Sequence, residues 1–113
     1  MASPFDVTIT ERAGAVHVAI GGELDISTAT LLEENLRRVE ADGPAIVVLD
    51  LSRLDFMDST GLRLLIGADA RARAAGRRFV IVQGGEMVRR VLRLTRLDER
   101  LEIVEDAGEL AGV

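Results

Sequence analysis

The 113-residue sequence contains no cysteine, which excludes disulfides, thiolate metal sites and thiol catalysis together. His17 is its only histidine, so multi-histidine metal clusters are excluded too, and composition leaves open only a carboxylate site for a hard cation. Tryptophan, tyrosine and lysine are absent; the aromatics are three phenylalanines, and all 14 basic residues are arginine. Direct nucleic-acid binding asks for a dominant positive field and stacking aromatics, and a chain of net charge −5 offers neither. No apolar run approaches the ~18 residues of a transmembrane helix. Asp6 and Glu11 stand where a secretory signal needs a basic start and an apolar stretch. These absences predict a cytoplasmic protein without membrane insertion, metal or cofactor.

Residues 1–113 suit one domain with one ordinary hydrophobic core, and 48% of them are hydrophobic. Charge is unevenly spread. Residues 1–62 carry net −7, residues 63–100 carry +6, and the tail from Leu101 carries −4. Arginines coating solvated helix faces account for the basic middle, and a partner-facing basic face is the alternative.

Phe5, Val7 and Ile9 alternate with Asp6, Thr8 and Thr10, the period of a strand with one buried face, here an edge strand. A turn at Ala13 and Gly14 leads to a second, antiparallel strand in which Val16, Val18 and Ile20 alternate with His17 and Ala19, and which Gly21 and Gly22 end. Residues 27–41 predict an amphipathic helix with Leu31, Leu32, Leu36 and Val39 inward, Ser27 or Thr28 as N-cap, and a stop at Asp42, Gly43 and Pro44. Residues 45–51 are almost continuously apolar, as in a central strand buried on both faces. A helix over residues 62–75, with Leu62, Leu65, Ile66 and Ala70 as its stripe, and a strand over 79–82 complete a right-handed parallel crossover. A third helix over 86–97, a short strand over 101–104 and a terminal segment over 106–111 follow. The predicted fold class is α/β, with a small mixed sheet of four or five strands.

The segment Phe56-Met57-Asp58-Ser59-Thr60-Gly61-Leu62 lies between the buried strand and the second helix. Asp58, Ser59 and Thr60 are all good N-cap residues, and Gly61 permits close packing, so capping explains them structurally. The same place suits a phosphate. A helix N-terminus offers free amides and a positive dipole end, and a phosphoryl group on Ser59 would add about −1.5 to −2 charges there. Beside Asp55 and Asp58, that charge would repel an acidic contact and expel a docked partner.

Asp58-Ser59-Thr60-Gly61-Leu62, with Phe56 and Met57 before it, resembles the signature of the STAS domains of bacterial anti-sigma factor antagonists. Gly22-Glu23-Leu24-Asp25 after the second strand is similar to another hallmark of that family. The order of elements agrees over nearly the whole chain. The resemblance implies helices packed mainly on one side of the sheet. It also implies a non-enzymatic partner switch: the unmodified antagonist binds an anti-sigma factor serine kinase and frees the sigma factor, phosphorylation stops this, and a serine phosphatase resets it. Carried onto this chain, Ser59 is the phosphoacceptor, with Thr60 the lesser candidate, and Asp25, Asp58, Ser59, Thr60, Gly61 and Arg63 form the partner-binding surface. Asp25 could equally be a cap on the first helix. Arg63 stands where many family members have glycine; four residues beyond Ser59, its guanidinium can pair with the phosphate or with an acidic partner residue. The chain itself is expected to be a monomer or weak dimer.

Two enzymatic readings fail on residues. Ser59 lacks the Gly-x-Ser-x-Gly elbow and His17 sits in an apolar strand, so no hydrolase triad can be assembled, and Gly84-Gly85 has no phosphate-loop lysine. A rival on the same fold is a STAS scaffold or regulatory subunit, for example of a transporter, that binds without phosphorylation.

Overall fold

The computed structural model describes residues 4–12, 14–106 and 108. In chain order the elements are β1 (Asp6–Arg12), β2 (Ala15–Leu24), α1 (Ala29–Ala41), β3 (Ile46–Met57), α2 (Ser59–Ala75), β4 (Arg78–Val82), α3 (Glu86–Leu94), a 3-10 turn (Leu97–Glu99) and β5 (Glu102–Val104). The five strands form one sheet in the order β1-β2-β3-β4-β5. Only the β1–β2 hairpin is antiparallel, and the other three pairings are parallel. Helices carry the chain back between the parallel strands, as the chain geometry of a crossover requires.

Alternation along the strands separates two faces. Val16, Val18 and Ile20 of β2, Val47, Leu49 and Leu51 of β3, and Phe79 and Ile81 of β4 share one core with Leu32, Leu36 and Val39 of α1, Leu64, Leu65, Ala68 and Ala72 of α2, and Val88 and Leu92 of α3. All three helices therefore lie on one side, as expected. Val48, Val80 and Val82, the intervening positions, form a smaller cluster on the other side. Burying a leucine such as Leu32 or Leu36 fully contributes roughly 1.5–3 kcal/mol, so the helix faces, rather than helix propensity, hold the layers together.

Several boundaries and faces differ from the sequence reading. β2 does not end at Gly21 and Gly22 but runs through them to Leu24, because β3 continues beside it to Met57 and supplies hydrogen-bonding partners. Only Phe5 and Val7 of the first strand pack partly against the core, and Ile9, far along an edge, is exposed. α1 starts at Ala29 and turns Leu31 outward, 48% exposed. α2 starts three residues earlier than expected and buries Gly61, Leu64, Leu65, Ala68 and Ala72, while Ile66 and Ala70 face out. That rotation follows from the close seat of Gly61 described below. α3 stops at Leu94; the Thr95 hydroxyl donates to the Val91 carbonyl at 2.7 Å, and Arg96 turns left-handed at φ 61°, which swings Leu97 back into the core. The expected terminal segment over 106–111, and Ala13 of the expected hairpin turn, lie largely outside the described residues.

Candidate functional site

The two sequence motifs meet because β2 and β3 run parallel and stay paired to their ends through two register shifts: Glu23 pairs with Phe56 and Leu24 with Met57. Beyond that pairing each strand gives way to a turn and a helix, so the α1 and α2 N-termini open on the same end of the sheet. A further hydrogen bond ties them, from the Asp58 amide to the Leu24 carbonyl at 3.2 Å.

Asp58 is the N-cap of α2. It is extended (φ −105°, ψ −170°), and its Oδ1 accepts from the amides of Thr60 at 2.9 Å and Gly61 at 3.3 Å. Ser59 is the first helical residue, not a cap, and is exposed. Among the described residues its hydroxyl holds no hydrogen bond. Thr60 is half-buried and Gly61 buried. Two of the amides that the sequence reading left free for a phosphate, those of Thr60 and Gly61, are thus taken by Asp58, which corrects that expectation in part and leaves the Ser59 amide.

Gly61 is where the helix lands on the sheet. A Cβ there would stand 2.7 Å from Met57 Cγ and 3.0 Å from Leu24 Cδ2, closer than carbon atoms pack. Gly61→Ala is accordingly expected to destabilise the fold by about 1–3 kcal/mol in urea unfolding. Gly67→Ala on the same helix, with its nearest neighbour the Arg71 guanidinium at an ordinary contact distance of 3.6 Å, should instead be neutral or stabilising.

Asp25 closes β2 and opens a tight turn. Its Oδ1 accepts from the Ser27 hydroxyl at 2.6 Å and the Ser27 amide at 2.9 Å, and the Ser27 hydroxyl, ahead of the other contacts, lowers the carboxyl pKa below its ordinary value. Its carboxylate therefore orders the turn before α1, while the helix N-cap is Thr28. The Thr28 hydroxyl donates to the Glu23 carbonyl at 2.8 Å and accepts from the Asp25 amide at 3.0 Å, fixing the turn to the strand end. Asp25 thus sits one residue from the Leu24 contact with α2, on the same end of the molecule as Ser59.

Sequence reading missed two features of this end. Ile26, between Asp25 and Ser27, is 79% exposed, an apolar side chain held out by a polar turn. An isolated isoleucine at a position with neither strand nor helix period was the available signal. The second is a groove of about 350 Å³ between α1 and α2, lined by Ala29, Thr30, Glu34, Thr60, Arg63 and Leu64 among others. Arg71 clamps the two helices through Glu40 (Nε to Oε1 2.7 Å, Nη2 to Oε2 2.9 Å) and Glu33 (3.0 Å). Arg63 lies exposed on the wall of the groove and, among the described residues, joins no ion pair. The groove needed tertiary packing to exist, so no local pattern announces it.

Residues 6–110 match the model of the STAS domain family. The chain belongs to the STAS domain family. Over 105 residues it is 35% identical to the anti-sigma-F factor antagonist RsfB of Mycobacterium tuberculosis, covering 91% of this chain and 85% of that one. Over 101 residues it is 31% identical to the anti-sigma-B factor antagonist of Staphylococcus aureus, covering 89% and 94% respectively. Among solved structures, an anti-sigma factor antagonist from Mycobacterium paratuberculosis superposes on this STAS domain with a TM-score of 0.84 at 28% identity, over 96% of this chain and 94% of that one. No helix among the described residues is long and apolar enough to cross a membrane, and no group of three or more His, Asp or Glu there could hold a metal ion.

Proposed function

We propose that the whole chain works as one STAS domain in the cytoplasm, as an anti-sigma factor antagonist whose Ser59 is the switching residue. Unmodified, it binds an anti-sigma factor serine kinase and so frees a sigma factor. Phosphorylated at Ser59 it lets go, and a serine phosphatase restores it. The observation that carries this reading is the position of Ser59: exposed on the first turn of α2, with its hydroxyl free of hydrogen bonds among the described residues and the capping work done by Asp58. Its modification therefore removes no hydrogen bond or buried contact of the fold. Thr60, half-buried, is the poorer acceptor. The names of the mycobacterial and staphylococcal relatives point the same way.

In the modification the Ser59 Oγ forms an ester bond to the γ-phosphorus of ATP as the β,γ-anhydride bond breaks. The hydroxyl proton passes to a base of the kinase or to water, and ADP leaves. Asp25, Asp58, Ser59, Thr60 and Arg63 make up the contact surface, with Ile26 as an apolar point on its rim; Gly61, expected there from the sequence, is instead buried beneath it where α2 lands on the sheet. The test is incubation with the cognate anti-sigma kinase and ATP, read by intact-mass and phosphopeptide spectrometry. One phosphate on Ser59, and none on Ser59→Ala, is the expected result. Stable binding of a partner with no transfer would instead make the chain an unmodified scaffold.

A further inference from the structure

We propose that Arg63 is the counter-charge for a phosphoryl group on Ser59, a built-in receiver that holds the dianion on the outer face of α2; this rests on Ser59 being the acceptor. The usual receiver at such a place, the helix end itself, is already engaged. Asp58 Oδ1 takes the Thr60 and Gly61 amides, and the Leu62 amide bonds the Asp58 carbonyl at 3.1 Å, so of the first-turn donors only the Ser59 amide is left. The other charges at this corner left unpaired among the described residues are acidic: Asp58 on the cap, Asp25 on the preceding turn, and Glu34 across the groove on α1, Glu33 being paired with Arg37 and Arg71. A dianion placed there with no cation beside it would face the like charge of the adjacent Asp58.

Arg63 is the cation in reach. It is four residues after Ser59 on the same helical face, the spacing and the anion-before-cation order that favour pairing. A guanidinium can also take two phosphate oxygens at once. The other arginines of this helix are committed elsewhere, Arg71 to Glu33 and Glu40 and Arg73 to Asp69, whereas Arg63 joins no ion pair among the described residues. Glu33, one of the two glutamates of α1 that line the groove with Arg63, is already paired with Arg37 and Arg71. Neutralising part of the phosphate charge makes Arg63 the residue that sets how strongly the switch acts.

The test places phosphoserine at position 59 of the full chain by genetic encoding, so that it needs no kinase, and follows the phosphate by phosphorus NMR during a pH titration. The second phosphate pKa is expected to lie at least about half a unit lower in the parent than in Arg63→Gln, since a nearby cation favours the dianion. Arg63→Lys should keep part of the gap, and 1 M salt should shrink it by screening. Helix-end and acidic contributions are common to all variants and cancel in the comparison. Equal pKa values in the parent and Arg63→Gln would overturn the proposal. Failure of a kinase to modify Ser59 would overturn the functional reading while leaving this titration able to succeed.

Discussion

Ser59→Asp is expected to bind the cognate anti-sigma factor at least about thirtyfold more weakly than the parent chain. In the proposed complex docking buries the first turn of α2, and a carboxylate introduced there must lose its water, a cost that pairing with Arg63 offsets only in part. Uncompensated charges in protein interfaces cost ~2–5 kcal/mol, and the lower figure already corresponds to about thirtyfold. The local field adds to the penalty, because Asp58 is adjacent and Asp25 belongs to the neighbouring turn. Ser59→Asn, nearly the same shape without the charge, should lose only a few-fold, and Ser59→Ala should bind about as well as the parent. Isothermal calorimetry on the three variants separates charge from shape. Equal affinities for the Asp and Asn variants would remove the charge switch, whatever the phosphorylation result. Folding is not at risk, since Ser59 is exposed and the cap is Asp58.

Much of this corner was legible in the residues. The apolar run from Ala45 to Leu51 marked the central strand, and Asp58 through Gly61 marked a helix start packed closely on something. What local patterns could not show was where each element stops. Gly21 and Gly22 read as strand breakers, yet a strand goes on as long as a neighbour offers it hydrogen bonds, and β3 does so as far as Met57. The inward face of α2 was misjudged for a related reason. Ile66 is more apolar than Ala68 or Ala72, but the rotation of the helix is set by Gly61 against Leu24 and Met57, which turns the alanines in and the isoleucine out. Three adjacent residues could each have been the cap. Choosing among them needed the direction of the Asp58 carboxylate, and that choice decides whether the helix end is free to hold a phosphate.

Gly22→Ala should be the most damaging single-methyl change near the site, with a loss of roughly 2–5 kcal/mol. Gly22 has φ +89°, which costs an alanine ~1–2 kcal/mol. An added Cβ would also stand 2.8 Å from Phe5 Cα and 2.9 Å from the Pro4 carbonyl oxygen. These are backbone atoms, so no rotamer change relieves them, and overpacking of this kind adds ~1–3 kcal/mol. Relief requires the start of β1 to move off β2, at the point where the β2–β3 register shifts between Gly22 and Glu23. The strain would then pass into Leu24 and the Asp58 hydrogen bond that joins the two motifs. Against a total stability of ~5–15 kcal/mol, such a loss should lower the midpoint of thermal unfolding by at least about 8 °C. Gly43→Ala supplies the control, because Gly43 has φ +67° but nothing within 4 Å of the added carbon. It should show the torsional cost alone. If calorimetry finds the two variants equally stable, close approach of the β1 backbone is not what requires glycine in the Gly-Glu-Leu-Asp motif.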